Sequence, residues 1–148
     1  MYDRILVPTD GSPSAEAAMD NALVLAESFD AELRLLYVID TRRYDTSIGS
    51  AVDPLEREAE RCLDRLVAAT GETDAPITTD IELGRPARTI LSSVDAHDVD
   101  LVVMGTRGEG GLPRRLLGSV SEYVVTHADV PIHVVPSVGD ADDSHEGP

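Results

Sequence analysis

Lysine is missing from this chain. Its basic residues are all arginine, 12 against 28 Asp and Glu, for a net charge of −16. A surface with that balance repels DNA, RNA and anionic membranes, so no nucleic-acid or membrane role is expected. Without lysine there is no Walker phosphate loop, which depends on one. The carboxylate cluster of a response regulator, which a lysine assists, is excluded with it. A single cysteine, Cys62, leaves no intramolecular disulfide and no cysteine zinc cluster. No G-x-G-x-x-G opens the first helix, which counts against NAD, and no G-x-S-x-G elbow is present for a serine hydrolase. The amino terminus shows no charged leader followed by an apolar core, and the apolar runs are too short for a membrane helix. A cytoplasmic location is expected.

What is present fits one domain of 148 residues, long enough to bury roughly 70% of its unfolded surface. The acidic, lysine-free composition resembles that of salt-in halophile proteins, haloarchaeal in style. Such a fold repels itself at low salt, and dissolved ions screen the repulsion.

Strand and helix patterns alternate along the chain. Arg4 to Thr9 is an apolar strand with Pro8 at its exit, where a missing N–H is tolerable. A turn at Asp10-Gly11 leads to Ser12 as N-cap and Pro13 at the first helical position. Ala15, Ala18, Ala22, Leu25 and Phe29 then recur at helical spacing. Glu32 to Ile39 reads as a strand covered on both faces. Asp40 to Val52 has no period and is expected to be a surface loop. Asp53-Pro54 repeats the cap-and-proline opening, before a buried stripe of Leu55, Ala59, Cys62, Leu66 and Ala69. Cys62 reads there as a small buried hydrophobe. Pro76 to Leu83 alternates weakly, as a strand near a sheet edge does. Gly84-Arg85-Pro86 turns into a helix carrying Ala87, Ile90, Leu91 and Val94. Leu101 to Met104 is the fourth strand, a helix starts near Gly118-Ser119, and Val130 to Pro136 is the fifth strand. Residues 137–148 hold four acidic residues and no basic one, and disorder is expected of this tail.

This order predicts an α/β fold: an open five-stranded parallel sheet with helices on both faces. Ligands of such sheets sit beyond the carboxyl ends of the strands, where the strand order reverses. If the order is 3-2-1-4-5, the ends of strand one at Thr9-Asp10-Gly11 and of strand four at Gly105 open into one crevice. The segment after Gly105 is rich in glycine, and Gly118-Ser119 then offers a hydroxyl and free helical N–H groups to an oxyanion. Arg107 to Arg115 contains three arginines and one glutamate, a local net of +2. An anionic ligand is favoured there. The same composition also fits a flexible surface turn whose arginines pair with carboxylates.

Gly105, two residues, Gly108, nine residues, then Gly118-Ser119 is a spacing that resembles the ATP-binding branch of the universal stress protein family. VPTDGS at Val7 to Ser12, YVID at Tyr37 to Asp40, LGRP at Leu83 to Pro86 and ADVPIHVVP at Ala128 to Pro136 carry the resemblance over residues 1–136. It implies a Rossmann-type fold like that of the adenine nucleotide alpha hydrolases. It also implies ATP, with Mg2+ or Mn2+ held through the phosphates rather than by a protein metal site. By resemblance, Pro8, Thr9 and Asp10 lie against adenosine, Val38 meets the adenine, and Met104 and Gly105 line the nucleoside. Arg107, Gly108, Gly118, Ser119 and Val120 surround the phosphates. Glu109 departs in charge from what a phosphate prefers, and is expected to face solvent or pair with Arg114 or Arg115. The last strand, Val130 to Pro136, resembles a homodimer contact, with a higher oligomer as a further option. A regulatory or stress-response role with no catalytic residue is implied. A weak ATPase or nucleotide hydrolase on the same site and a nucleotide-free dimerisation or adaptor module are the alternatives. His97, His127, His133 and His145 share no metal-ligand spacing.

Overall fold

The computed structural model describes residues 2–42, 52–106 and 117–136, with the backbone alone described at Val52 and Asp53. The elements run β1 (Arg4–Thr9), α1 (Pro13–Phe29), β2 (Glu32–Asp40), α2 (Val52–Ala69), β3 (Ile77–Gly84), α3 (Pro86–Ala96), β4 (Leu101–Gly105), α4 (Ser119–His127) and β5 (Ile132–Val135). All pair in parallel, in the order β3-β2-β1-β4-β5. The expected fold is the observed one. Most of the expected 40–52 loop and all of the 137–148 tail lie outside the described residues.

Alternation along the central strands feeds two cores. Ile5, Val7, Leu33 and Leu35 face one way, onto Ala18 and Ala22 of α1 and Cys62 of α2. Leu6, Leu36 and Val102 face the other way, onto Ile90 and Val94 of α3 and Val124 of α4. Both faces of β1 are therefore dry, and its burial is complete from Ile5 to Thr9. Burying each such aliphatic side chain contributes about 1.5–3 kcal/mol.

The α1 stripe differs in detail from its sequence reading. Met19 and Ala26 are buried alongside Ala15, Ala18 and Ala22, while Phe29 is 36% exposed and packs edge-on against Tyr2. Small residues let α1 lie close on the sheet, and the long aromatic stays at the rim. In α2, Leu63 is buried and Ala69 is exposed. That helix starts at Val52, so Asp53 lies inside it rather than at the cap, with Pro54 in the first turn. There a proline needs no N–H partner. β5 is shorter than expected because Pro131 and Pro136 flank it and cannot donate to a ladder. Among the described residues, no helix is long and apolar enough to cross a membrane.

Candidate functional site

The order reverses between β1 and β4, whose register is Ile5↔Leu101 and Leu6↔Val102. Their carboxyl ends are neighbours, which brings the Asp10 turn and Gly105 to one side of the sheet.

The β1 end is rigid because its own side chains bind its backbone. Thr9 Oγ1 accepts from Gly11 N–H at 3.2 Å, and Asp10 Oδ1 accepts from Ser12 N–H at 2.9 Å. Gly11 has a φ of 82°, the left-handed region that glycine adopts without strain. Ser12 then caps α1, its Oγ accepting from Ala15 N–H at 3.3 Å, and Pro13 follows at the first position. The sequence reading of this start is borne out. Pro8 and Thr9 are buried, and Asp10 is half-buried.

Cys62 lies beneath this turn. A Cβ on Gly11 would come 3.4 Å from its Sγ. Burial pushes the thiol pKa up, opposed by the Arg65 charge and a hydrogen bond with Thr9. It is a small buried hydrophobe, as expected, and it also supports the strand end.

At the end of β2, Val38 is half-buried and pairs in register with Glu82. Two residues on, Asp40 accepts from Arg42 N–H at 3.0 Å and holds the guanidinium with both carboxylate oxygens, each at 3.0 Å. The hydrogen bond first, and then the Asp40 charge, raise the Arg42 pKa.

At the end of β4, Met104 is buried and Gly105 is half-buried. A Cβ on Gly105 would lie 2.7 Å from Ser14 Cβ and 2.8 Å from its Oγ and carbonyl carbon. Glycine is required here because α1 sits against it. Thr106 follows, its N–H donating to Val135 O at 3.1 Å. Its carbonyl accepts twice, from Gly118 N–H and from Ser121 Oγ, both at 2.6 Å. These bonds tie together the two ends of the glycine-rich segment. Arg107, Gly108 and Glu109 lie outside the described residues. Gly118 is the N-cap of α4, so its N–H is committed to Thr106. The Ser119 and Val120 amides in the next positions have no partner among the described residues. Ser119 is exposed and Val120 half-buried.

Two residues that the sequence reading passed over belong to this region. Ser14 Oγ and Thr106 Oγ1 are buried and have no hydrogen-bond partner among the described residues. Ser14 carried a readable signal, as the residue after a cap-and-proline pair. Thr106 carried none.

The other end of the sheet suits an anion poorly. A groove of about 360 Å³ there is lined by Asp3, Arg4, Asp30, Glu32 and Pro76, three carboxylates against one guanidinium. His97 caps the end of α3, His127 ends α4 with Nδ1 2.9 Å from Tyr123 O, and His133 is exposed on β5. Among the described residues, no group of three His, Cys, Asp or Glu could hold a metal ion.

Residues 1–136 match the sequence profile of the universal stress protein family. The chain belongs to that family. It is 35% identical over 140 residues to universal stress protein MJ0531 of Methanocaldococcus jannaschii, an alignment covering 91% of this chain and 82% of the relative. Among solved structures of the family, UspA from Lactobacillus plantarum superposes with a TM-score of 0.82 at 32% identity, over 90% of this chain and 97% of that one. A universal stress protein in complex with cAMP superposes with a TM-score of 0.66 at 29% identity, over 91% and 97% of the two chains.

Proposed function

We propose that this family member is an adenine-nucleotide-binding regulatory protein whose ligand is ATP with Mg2+ or Mn2+, and that it acts as a cytoplasmic homodimer. The observation that carries the proposal is the meeting, at one reversal of strand order, of the braced Asp10 turn and the Gly105 start of the phosphate-type spacing. The chemistry of the donors supports it. Backbone N–H groups at Ser119 and Val120 stand at the positive end of α4, where a phosphate is favoured. Asp10 is an acceptor suited to a ribose hydroxyl or an adenine amine, not to a phosphate. Its Oδ1 already binds Ser12 N–H, which fixes the carboxylate's direction.

The relative solved with cAMP supports an adenine nucleotide as the ligand class. A divalent ion would supply charge neutralisation between phosphate oxygens. The chain's part is to hold the nucleoside at Pro8, Thr9, Asp10, Val38, Met104 and Gly105. The phosphates fall to Arg107, Gly108, Gly118, Ser119 and Val120. Dimer formation is assigned to β5, at the sheet edge, where the strand ladder has a free side.

The test is direct. Purified protein is heat-denatured and the supernatant chromatographed, and the refolded or fresh chain is titrated with ATP and Mg2+ by calorimetry. Released adenine nucleotide, or saturable ATP binding, supports the proposal. A chain that releases none and binds none is not a nucleotide protein.

A further inference from the structure

The first turn of α1 uses almost all of its donors. Pro13 has no N–H, Ala15 N–H goes to Ser12 Oγ at 3.3 Å, and Glu16 N–H goes to Ser12 O at 3.1 Å. Ser14 is the exception. Neither its N–H nor its hydroxyl has an acceptor among the described residues, although the residue is only 4% exposed. A buried polar group without a partner weakens the fold, so such groups are uncommon and call for an explanation. Serine in a helix interior often bonds the carbonyl four residues back, and Ser14 makes no such bond.

Its position supplies the explanation. The hydroxyl would stand 2.8 Å from a Gly105 Cβ, so it lies against the carboxyl end of β4, where the strand order reverses. Next along that strand end is Thr106, whose hydroxyl is likewise buried, at 8% exposure, and without a partner among the described residues. Two idle donors on one residue, at the positive end of a 17-residue helix, match an oxyanion. A neutral acceptor would leave the helix field unused.

We infer that Ser14 is a phosphate-binding residue, donating its N–H and Oγ–H to the α-phosphate of the nucleotide. This seat belongs to α1, whereas the other anion-favouring amides belong to α4. The inference rests on the adenine-nucleotide reading above. The α-phosphate is the one assigned because Ser14 stands between the Asp10 turn and Gly105, on the nucleoside side, while the α4 end takes the outer phosphates. AMP should therefore use Ser14 as fully as ATP does.

The experiment compares the full chain with Ser14→Ala, by calorimetric titration with adenosine, AMP and ATP and by thermal unfolding without ligand. Loss of a hydrogen bond to a charged group should weaken AMP and ATP alike by about tenfold or more and leave adenosine unchanged. The ligand-free melting temperature should hold or rise, since an unpaired buried hydroxyl is removed. AMP and ATP affinities equal to those of the parent chain would overturn the assignment, as would an equal loss for adenosine. If Ser14→Ala aggregates, Ser14→Cys keeps the shape, weakens the donor and should show the same selective loss. Should the parent bind no adenine nucleotide, inorganic phosphate becomes the probe. Phosphate that raises the melting point of the parent but not of Ser14→Ala keeps the anion seat while the nucleotide reading falls. Phosphate that acts on neither, or equally on both, removes the seat as well.

Discussion

Ser14 occupies the space that any side chain on Gly105 would need, with 2.8 Å separating its carbonyl carbon from the position of a Gly105 Cβ. The contact is with helix backbone, which cannot swing aside. Gly105→Ala should therefore destabilise the ligand-free chain by about 1–3 kcal/mol, read as a lower urea midpoint at unchanged slope. An unaffected midpoint would mean that α1 moves freely off β4. The substitution is thus a poor control for nucleotide binding, because it strikes the fold first.

Ser121 Oγ donates to Thr106 O at 2.6 Å from a side chain that is 2% exposed. Ser121→Ala leaves Gly118 N–H as the remaining donor to that carbonyl. A loss of about 1–2 kcal/mol in unfolding free energy is expected, with weaker ATP binding because the start of α4 is less firmly placed. Equal stability and affinity in the two chains would remove Ser121 from this role.

The Cys62 thiol is held protonated by burial, with its pKa above the ordinary thiol range. As pH rises beyond about 8.5, the unfolded chain releases this proton before the folded one does. The group's contribution to stability is complete below that pH and is lost as pH climbs through the folded pKa. Cys62→Ala should show a shallower alkaline decline in urea denaturation than the parent, and the parent thiol should stay unreactive to an aromatic disulfide reagent until urea is added. Parallel alkaline declines and a rapidly labelled native thiol are the contrary results.

With a net charge of −16, the folded chain is self-repulsive in dilute buffer. Its melting temperature should fall on dialysis from molar salt to low ionic strength. A flat response across that range would separate the acidic composition from any salt requirement.

If β5 joins two copies, a charge placed on its exposed side should part them. His133→Glu, on the exposed face of β5, should shift sedimentation from dimer to monomer while the circular dichroism of the fold is kept. A parent chain that sediments as a monomer would end the dimer assignment.

Much of this molecule was legible because its signals are local and periodic. Ser12-Pro13 announces a helix start whatever surrounds it, and the apolar run from Leu35 to Ile39 reads as a strand covered on both faces. The spacing from Gly105 to Gly118-Ser119 marked, in the same way, the region proposed as the site. What escaped depends on contacts between distant parts of the chain. Nothing in the sequence around Gly105 shows that α1 packs on it, through Ser14. The idle hydroxyls of Ser14 and Thr106 are visible only once the partners of every nearby donor are known. Phe29 fits the helical period of α1 but lies at the rim, because period alone does not measure how close the sheet comes.

The twofold use of the Thr106 carbonyl has a consequence for how this site can change over generations. Gly118 N–H and Ser121 Oγ clasp it from the far side of the intervening sequence. The clasp holds the two ends of the intervening sequence beside each other. Lengthening such a segment twofold costs only about 0.6 kcal/mol in closure entropy. On the nucleotide reading, insertion, deletion or recharging there would change ligand preference and leave the five-stranded frame as it stands.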